Sequence, residues 1–304
     1  MKKSTYIWKN GQLINWDEAN THVLSHALHY GTAIFEGIRA YNTPNGPCIF
    51  KAKEHYDRLM TSAKLIYMTP TYDTPSLINA TTTLIKENKL DSCYIRPLMY
   101  FGYGEMGLNP GNNPVDCIIA AWEWGTYLGE EGLEKGIKCK ISSWNRIDSR
   151  IIPPLAKSAA NYLNSGFAKQ EALRCGYDEA ILLNSNGLIA EGPGENLFVV
   201  QDNKLYSPPI SDNALKGITS ETIIQLAAHL NIDFEYKSII RDELLSADEC
   251  FFTGTAAEVT PIREIDGVII GNGKRGPITE KLQSLFFDVV QGKQTVNSDW
   301  LTKV

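Results

Sequence analysis

No run of five or more lysines and arginines occurs in the chain, and a formal net charge of −6 leaves no basic face to hold a polyanion. A nucleic-acid partner is therefore not expected. The first residues, Met1-Lys2-Lys3-Ser4-Thr5-Tyr6-Ile7-Trp8-Lys9, carry charge but no apolar core of signal-peptide length. No later segment reaches the roughly 18 consecutive apolar residues that a membrane span needs. Both absences point to a cytoplasmic protein without a membrane partner. The six cysteines (Cys48, Cys93, Cys117, Cys139, Cys175, Cys250) never form a Cys-x-x-Cys pair, and most lie in apolar segments such as Asp116-Cys117-Ile118-Ile119-Ala120. They read as reduced core residues, not as a disulfide framework. Internal repeats and low-complexity tracts are also missing.

What is present is a chain of 304 residues with 43% hydrophobic composition, enough to bury roughly three quarters of its unfolded surface and more than one core usually holds. Two domains are expected. In the first, residues 1–124, Asn10-Gly11 between two short β-like runs is a hairpin signal. A strand-like stretch over 34–41 turns through Pro44-Asn45-Gly46 into 48–50. Tyr56, Leu59, Met60, Ala63 and Tyr67, spaced by three and four, predict an amphipathic helix over 53–67. A second helix is expected over 76–87, with strands over 92–102 and 115–124. Residues 125–136, interrupted by glycines and acids, show neither periodicity and read as an interdomain linker. The second domain, 137–304, alternates expected strands at 137–143, 179–184, 197–201, 234–239 and 249–253 with expected helices at 161–174, 220–230 and 277–290. That alternation makes the fold class mixed α/β, with strand order undetermined.

Lys157, in Pro153-Pro154-Leu155-Ala156-Lys157-Ser158-Ala159-Ala160-Asn161-Tyr162, is a lone amine among small and apolar residues. Loss of solvation favours the neutral form of a lysine, and a neutral amine attacks a carbonyl to form a Schiff base. Taken alone, Lys157 reads as an ordinary lysine at a helix edge. The reading changes downstream, at Gly187-Leu188-Ile189-Ala190-Glu191-Gly192-Pro193-Gly194-Glu195-Asn196-Leu197-Phe198. Here Glu191 closes a strand-like run and enters a glycine-rich turn of the kind that lets backbone approach a ligand closely. An amine and a carboxylate so arranged suit pyridoxal phosphate, in which the amine binds the aldehyde and the carboxylate keeps the pyridine nitrogen protonated.

Asn213-Ala214-Leu215-Lys216-Gly217-Ile218-Thr219-Ser220-Glu221 leads into a helix through a glycine and hydroxyls, which is an ordinary N-cap pattern or an anion site. The loop Phe252-Thr253-Gly254-Thr255-Ala256-Ala257-Glu258 follows a strand and offers amides and a hydroxyl. Two such loops favour a phosphorylated ligand. His22, His26 and His29 stand at helical spacing, but no activating acid accompanies them, so they read as packing residues and no metal site is expected. Arg58, four residues after Glu54, reads by itself as half of an intrahelical ion pair. In Tyr94-Ile95-Arg96-Pro97, strand alternation puts Tyr94 and Arg96 on one face, where the arginine needs an anionic partner.

Together with Tyr30-Gly31-Thr32-Ala33-Ile34-Phe35-Glu36-Gly37-Ile38-Arg39 and Met106-Gly107-Leu108-Asn109-Pro110, these segments closely resemble the branched-chain amino acid aminotransferases. Those are class IV aminotransferases, two-domain fold type IV pyridoxal phosphate enzymes like the D-amino acid aminotransferases. The resemblance runs in order from Tyr6 to Phe287. It implies that Lys157 bears the cofactor, Glu191 faces its pyridine nitrogen and Tyr162 hydrogen-bonds its phenolic oxygen. Arg58, the amides of Ile218 and Thr219, and Thr255 would hold the phosphate, while Leu215 would pack on the ring. Tyr94 with the amides of Thr255 and Ala256 would receive the α-carboxylate of the substrate. Phe35, Gly37, Tyr30, Trp124, Tyr127 and Leu108 would shape the side-chain pocket, Leu108 coming from a neighbouring subunit. Arg96, with Tyr30 and Tyr127, would bind the distal carboxylate of glutamate. The implied reaction is transamination between leucine, isoleucine or valine and 2-oxoglutarate, in a homodimer or dimer-based hexamer. Ser158-Ala159-Ala160 and Pro193 depart from the triplet and the alanine common in bacterial members. A D-amino acid aminotransferase or an aminodeoxychorismate lyase shares the same fold, and a cofactor-free Schiff-base lyase also uses a lysine. A non-catalytic scaffold would leave Lys157, Glu191 and both loops unexplained.

Overall fold

The computed structural model describes residues 2–125 and 128–304. In chain order its elements are β1 (Tyr6–Lys9), β2 (Gln12–Asn15), α1 (His26–Tyr30), β3 (Ala33–Phe35), β4 (Ile38–Thr43), β5 (Gly46–Phe50), α2 (Ala52–Leu65), α3 (Thr74–Glu87), β6 (Cys93–Phe101) and β7 (Val115–Trp122). They continue with α4 (Gly129–Lys135), β8 (Ile137–Ile141), α5 (Asn161–Arg174), β9 (Glu179–Leu183), β10 (Ile189–Glu191), β11 (Asn196–Gln201), β12 (Lys204–Ser207), α6 (Ile218–His229), β13 (Phe234–Tyr236) and α7 (Arg241–Leu245). The last are β14 (Glu249–Gly254), β15 (Glu258–Ile265), β16 (Val268–Ile269), α8 (Pro277–Val290) and β17 (Leu301–Lys303). By contacts the chain forms two units, one of Met1–Trp124, Ala156–Ala160 and Val290–Val304, the other of Gly125–Leu155 and Asn161–Val289.

In the first unit the strands form an antiparallel sheet in the order β17-β5-β4-β6-β7-β1-β2, with β3 also pairing β6. Alternation sorts its two faces. Cys93, Ile95, Met99 and Phe101 of β6 and Cys117, Ile119 and Ala121 of β7 join the core that α2 and α3 cover with Tyr56, Leu59, Ala63, Leu77, Leu84 and Ile85. The other face carries Tyr94 and Arg96. The stretch expected as one strand over 34–41 is two, because pairing with β6 stops at Glu36-Gly37: Phe35 lies opposite Leu98, and Ile38 opposite Ile95. Pro97, in the gap between these partners, has no N–H to give, and its carbonyl accepts the N–H of Glu36 at 2.9 Å. The far edge of β3 takes the segment around Lys157. Phe35 N donates to Lys157 O (3.0 Å), Ala159 N to Ala33 O (2.8 Å), and Ile34 bridges Ser158.

In the second unit a mixed sheet runs β10-β9-β8-β15-β14-β11-β12-β13, with β16 on β15. Pairs β8–β9, β8–β15 and β12–β13 are parallel, the rest antiparallel. Helices α5 and α8 have the limits read from sequence. The stretch 125–136 contains α4, closed by Gly136 at φ 82°. Seven residues make under two turns, too few for an apolar period. His22 precedes α1, so only His26 and His29 are helical; His26 is fully buried, bonded to Thr32 Oγ1 (2.8 Å) and the Gly107 carbonyl (2.7 Å).

Behind Glu191 the turn Gly192–Glu195 closes on itself, with Gly192 N donating to Glu195 O (2.8 Å) and Gly194 N to Glu195 Oε2 (3.0 Å). Gly192 is bare because a Cβ there would meet Glu195 Oε2 at 2.7 Å and the Phe252 ring at 3.0 Å. Burial, reinforced by Glu179, pushes the Glu195 carboxyl up to about 8. A carboxyl raised on folding contributes its stability below the ordinary carboxylate range and loses it as pH climbs toward 8. Between about pH 5 and 8 the melting temperature of the natural protein should therefore fall relative to that of Glu195→Gln, and parallel curves would refute the buried acid.

Candidate active site

On the open face of the first sheet, Tyr94 is buried and packs edge-on against Trp124, ring centroids 4.4 Å apart, and beside Trp122 at 5.3 Å. Arg96 lies two residues on. Its guanidinium sits 4.7 Å over the Phe35 ring and 5.3 Å over that of Tyr94, and Nη2 donates to Tyr94 Oη at 3.1 Å. Its buried Nε has no partner among the described residues. Alternation thus puts Tyr94 and Arg96 together, as the sequence implies. Gly37 faces the same group: a Cβ there would collide with the Tyr94 hydroxyl. Its empty side is filled by the tyrosine, so it shapes the face through Tyr94.

Lys157 joins this face through backbone. Its N–H donates to Ser62 Oγ of α2 (3.0 Å), its carbonyl accepts from Phe35, and Nζ stands 5.2 Å over the Phe35 ring. The side chain is half-buried rather than enclosed. Tyr30 ends α1 and donates from its hydroxyl to the Met106 carbonyl (3.0 Å), so with His26 it braces the loop that carries Leu108, which is 83% exposed. Tyr127 lies outside the described residues.

Glu54, the acid four residues before Arg58, meets Lys51 at 3.3 Å. Arg58 reaches Glu36, Nε to Oε1 at 2.7 Å and Nη2 to Oε2 at 2.8 Å, and His55 Nδ1 lies 2.8 Å from Oε2. The sequence could not choose between an acid four residues away and one 22 residues away, because the latter depends on how α2 lies on the sheet. Burial alone would raise the Glu36 carboxyl, but Arg58 and His55 hold it well below the ordinary carboxylate range. Burial pushes the His55 imidazole below its ordinary value despite Glu36.

In the second unit Glu191 is buried at the end of β10. Leu215 N donates to its Oε2 at 2.9 Å and Asn196 Nδ2 at 3.2 Å, while Arg146 Nε pairs with Oε1 at 2.7 Å. Asn196 Nδ2 also reaches the Leu215 carbonyl (2.8 Å), tying the carboxylate to the loop that precedes α6. Arg146 and Asn196 are the residues that sequence reading passed over. The available signal was an arginine alone in Trp144-Asn145-Arg146-Ile147, just past β8, where a buried cation demands an acid.

Helix α6 begins at Ile218 with Gly217 as N-cap and no side-chain cap, so the hydroxyls of Thr219 and Ser220 lie inside the helix. A Cβ on Gly217 would collide with Asn196 Oδ1. Buried Ile218 and Thr219 occupy the first turn, whose amides point toward the helix start. Thr255 and Ala256, half-buried, form the turn between β14 and β15, and Tyr162 stands in the first turn of α5.

The model of the family described as amino-transferase class IV matches residues 33–265. The chain is similar to the branched-chain-amino-acid aminotransferase of Pseudomonas aeruginosa, 49% identical over 98% of this chain and 97% of that one. It is also similar to the crystal structure of the Escherichia coli branched-chain amino acid aminotransferase (TM-score 0.97, 46% identity, 99% of both chains). A third likeness is to the crystal structure of the T.th. branched-chain amino acid aminotransferase complexed with N-(5'-phosphopyridoxyl)-L-glutamate (TM-score 0.94, 43% identity, 99% of both chains).

If the Tyr94 hydroxyl is what forbids a side chain at residue 37, Gly37→Ala should cost about 1–3 kcal/mol in the natural background. It should cost much less in Tyr94→Phe, and a double-mutant cycle by denaturant unfolding that returns no coupling would refute the packing.

Proposed function

This chain belongs to the class IV aminotransferases, and from that membership we propose that it is a branched-chain-amino-acid aminotransferase dependent on pyridoxal 5'-phosphate. It moves the amino group of leucine, isoleucine or valine to 2-oxoglutarate, giving the 2-oxo acid and glutamate. The observation that carries the substrate reading is the guanidinium of Arg96 laid against Phe35 and Tyr94. An apolar aromatic wall suits a branched aliphatic side chain, and an arginine on that wall suits the distal carboxylate of glutamate.

The residues present fit the cofactor in three respects. Glu191 is a carboxylate held by Arg146, Leu215 and Asn196, so it is fixed as an acceptor for a ring N–H. The start of α6 has no side-chain cap, which leaves its first amides to an anion. Arg58 is a guanidinium with a rigid carboxylate support. When bound, the cofactor supplies an aldehyde for the amino group and an electron-poor ring that stabilises charge at the substrate Cα.

Lys157 would hold the cofactor through its Nζ, and the same amine would serve as the base that takes the substrate Cα proton and the acid that returns one. Glu191 meets the pyridine nitrogen and Tyr162 the phenolic oxygen. Arg58, the amides of Ile218 and Thr219, and Thr255 hold the phosphate, and Leu215 packs on the ring. Tyr94 and the amides of Thr255 and Ala256 bind the α-carboxylate. Phe35, Gly37, Trp124, Tyr30 and Tyr127 shape the side-chain pocket, and Leu108 is offered to a second copy. The high exposure of Leu108 on a braced loop supports a homodimer or dimer-based hexamer. Among the described residues no helix is long and apolar enough to cross a membrane, and the reading includes a cytoplasmic location.

Lys157→Ala should abolish turnover with the fold intact by circular dichroism; full activity would end the assignment. Arg96→Ala should lower kcat/KM for glutamate by about 10–100-fold, the worth of a charge-assisted hydrogen bond, and that for leucine far less. Equal losses would remove Arg96 from the distal carboxylate. Half-reaction absorbance with L-leucine, L-glutamate and D-alanine separates this activity from its rivals of the same fold.

A further inference from the structure

We propose that Glu36 is a positioning residue for the cofactor phosphate: it sets the plane and direction of the Arg58 guanidinium, and His55 is the brace that holds Glu36 in place. The inference rests on the reading of Arg58 as a phosphate ligand.

Glu36 stands between Ile34 and Ile38 on the face of the first sheet that turns toward the core, and it is 0% exposed. An apolar residue is what alternation calls for there. Replacing a buried ion pair by well-packed apolar side chains is often neutral or stabilising, since each ion gives up its hydration, so stability alone gives no reason for an acid at this position. Its geometry does. Both oxygens are taken up in a fork by Nε and Nη2 of Arg58, and Oε2 also meets His55 Nδ1. The backbone of Glu36 is itself tied to Pro97 by its N–H, at the interruption of the strand pairing. His55 and Arg58 are three residues apart on α2, hence on one helix face, so both ends of the brace are rigid.

Exposure rises along the chain of contacts. The Glu36 side chain is 0% exposed, that of His55 2% and that of Arg58 13%. The acid is therefore the support and the guanidinium the end that meets a ligand. Planarity matters here, because an arginine binds phosphate oxygens through parallel N–H bonds whose direction is lost when the plane swings.

Charge and positioning predict opposite signs for removal of the acid. Glu36→Gln deletes a negative charge beside Arg58, so electrostatics alone would tighten phosphate binding; loss of the brace would weaken it. The protein, resolved of its cofactor, is titrated with pyridoxal 5'-phosphate and separately with pyridoxal, which lacks the phosphate, and visible absorbance is followed. In Glu36→Gln the Kd for pyridoxal 5'-phosphate should rise about tenfold or more, the worth of a hydrogen bond to a charged group. The Kd for pyridoxal should stay unchanged. An unchanged or tighter Kd for pyridoxal 5'-phosphate overturns the proposal, and so does an equal loss for both compounds, which a merely structural residue would give.

Should Glu36→Gln not fold, Glu36→Asp, which keeps the charge but withdraws the carboxylate by one methylene, is carried through the same titrations with the same expectation. Failure of both to fold makes Glu36 a folding residue and overturns the proposal. Arg58→Ala separates the two layers of the argument. If it binds pyridoxal 5'-phosphate as the natural protein does, the reading of Arg58 falls and the role of Glu36 with it; if it binds weakly while Glu36→Gln binds normally, only the role of Glu36 falls.

Discussion

The backbone pairing of Ala33–Phe35 with the residues around Lys157 is the constraint on which the rest depends. Strand β3 is three residues long, yet it is hydrogen-bonded on both edges, to β6 on one side and to Lys157 and Ala159 on the other. Ser62 adds a bond to the Lys157 amide. A lysine on a flexible four-carbon stem reaches a defined place only if its Cα is fixed, and here three elements fix it. The same short strand sets down Phe35 beneath both the amine and Arg96.

Two buried ion pairs, one in each unit, use charge in opposite senses. In the first, Glu36 is fully enclosed and Arg58 is the more exposed partner. In the second, Arg146 is buried behind Glu191, whose other oxygen takes two further donors. Removing each ion from water costs several kcal/mol. Three hydrogen bonds on Glu36, and two hydrogen bonds with the Arg146 ion pair on Glu191, are what offsets that cost. Glu195 lacks such compensation, with one backbone donor and an acidic neighbour, and burial wins there.

Much of the fold was legible in local pattern. The limits of α5 and α8, the hairpin at Asn10-Gly11 and the shared face of Tyr94 and Arg96 all follow from periodicity, turn chemistry and alternation, which involve residues near each other in the chain. The site was legible in part, through the lysine, the acid and two short loops, and the family resemblance added roles that no spacing alone carries. What stayed hidden has identifiable causes. A seven-residue α4 is too short to show a period. The interruption of the first-sheet pairing at Glu36-Gly37 is imposed by Pro97, 61 and 60 residues further on. The N-cap of α6 is a glycine rather than a hydroxyl because Asn196 occupies the space a side chain would need.

The sequence by itself determined the long helices α5 and α8, which face of β6 is polar, and that an amine and a carboxylate of the right kind are present. Tertiary structure alone decided that Ala156–Ala160 join the first unit, that Arg58 finds Glu36, and that Arg146 and Asn196 hold Glu191. The reason is physical. Propensity and periodicity act over a few residues, whereas the partner of a buried charge is chosen by strand register and by how a helix lies on its sheet.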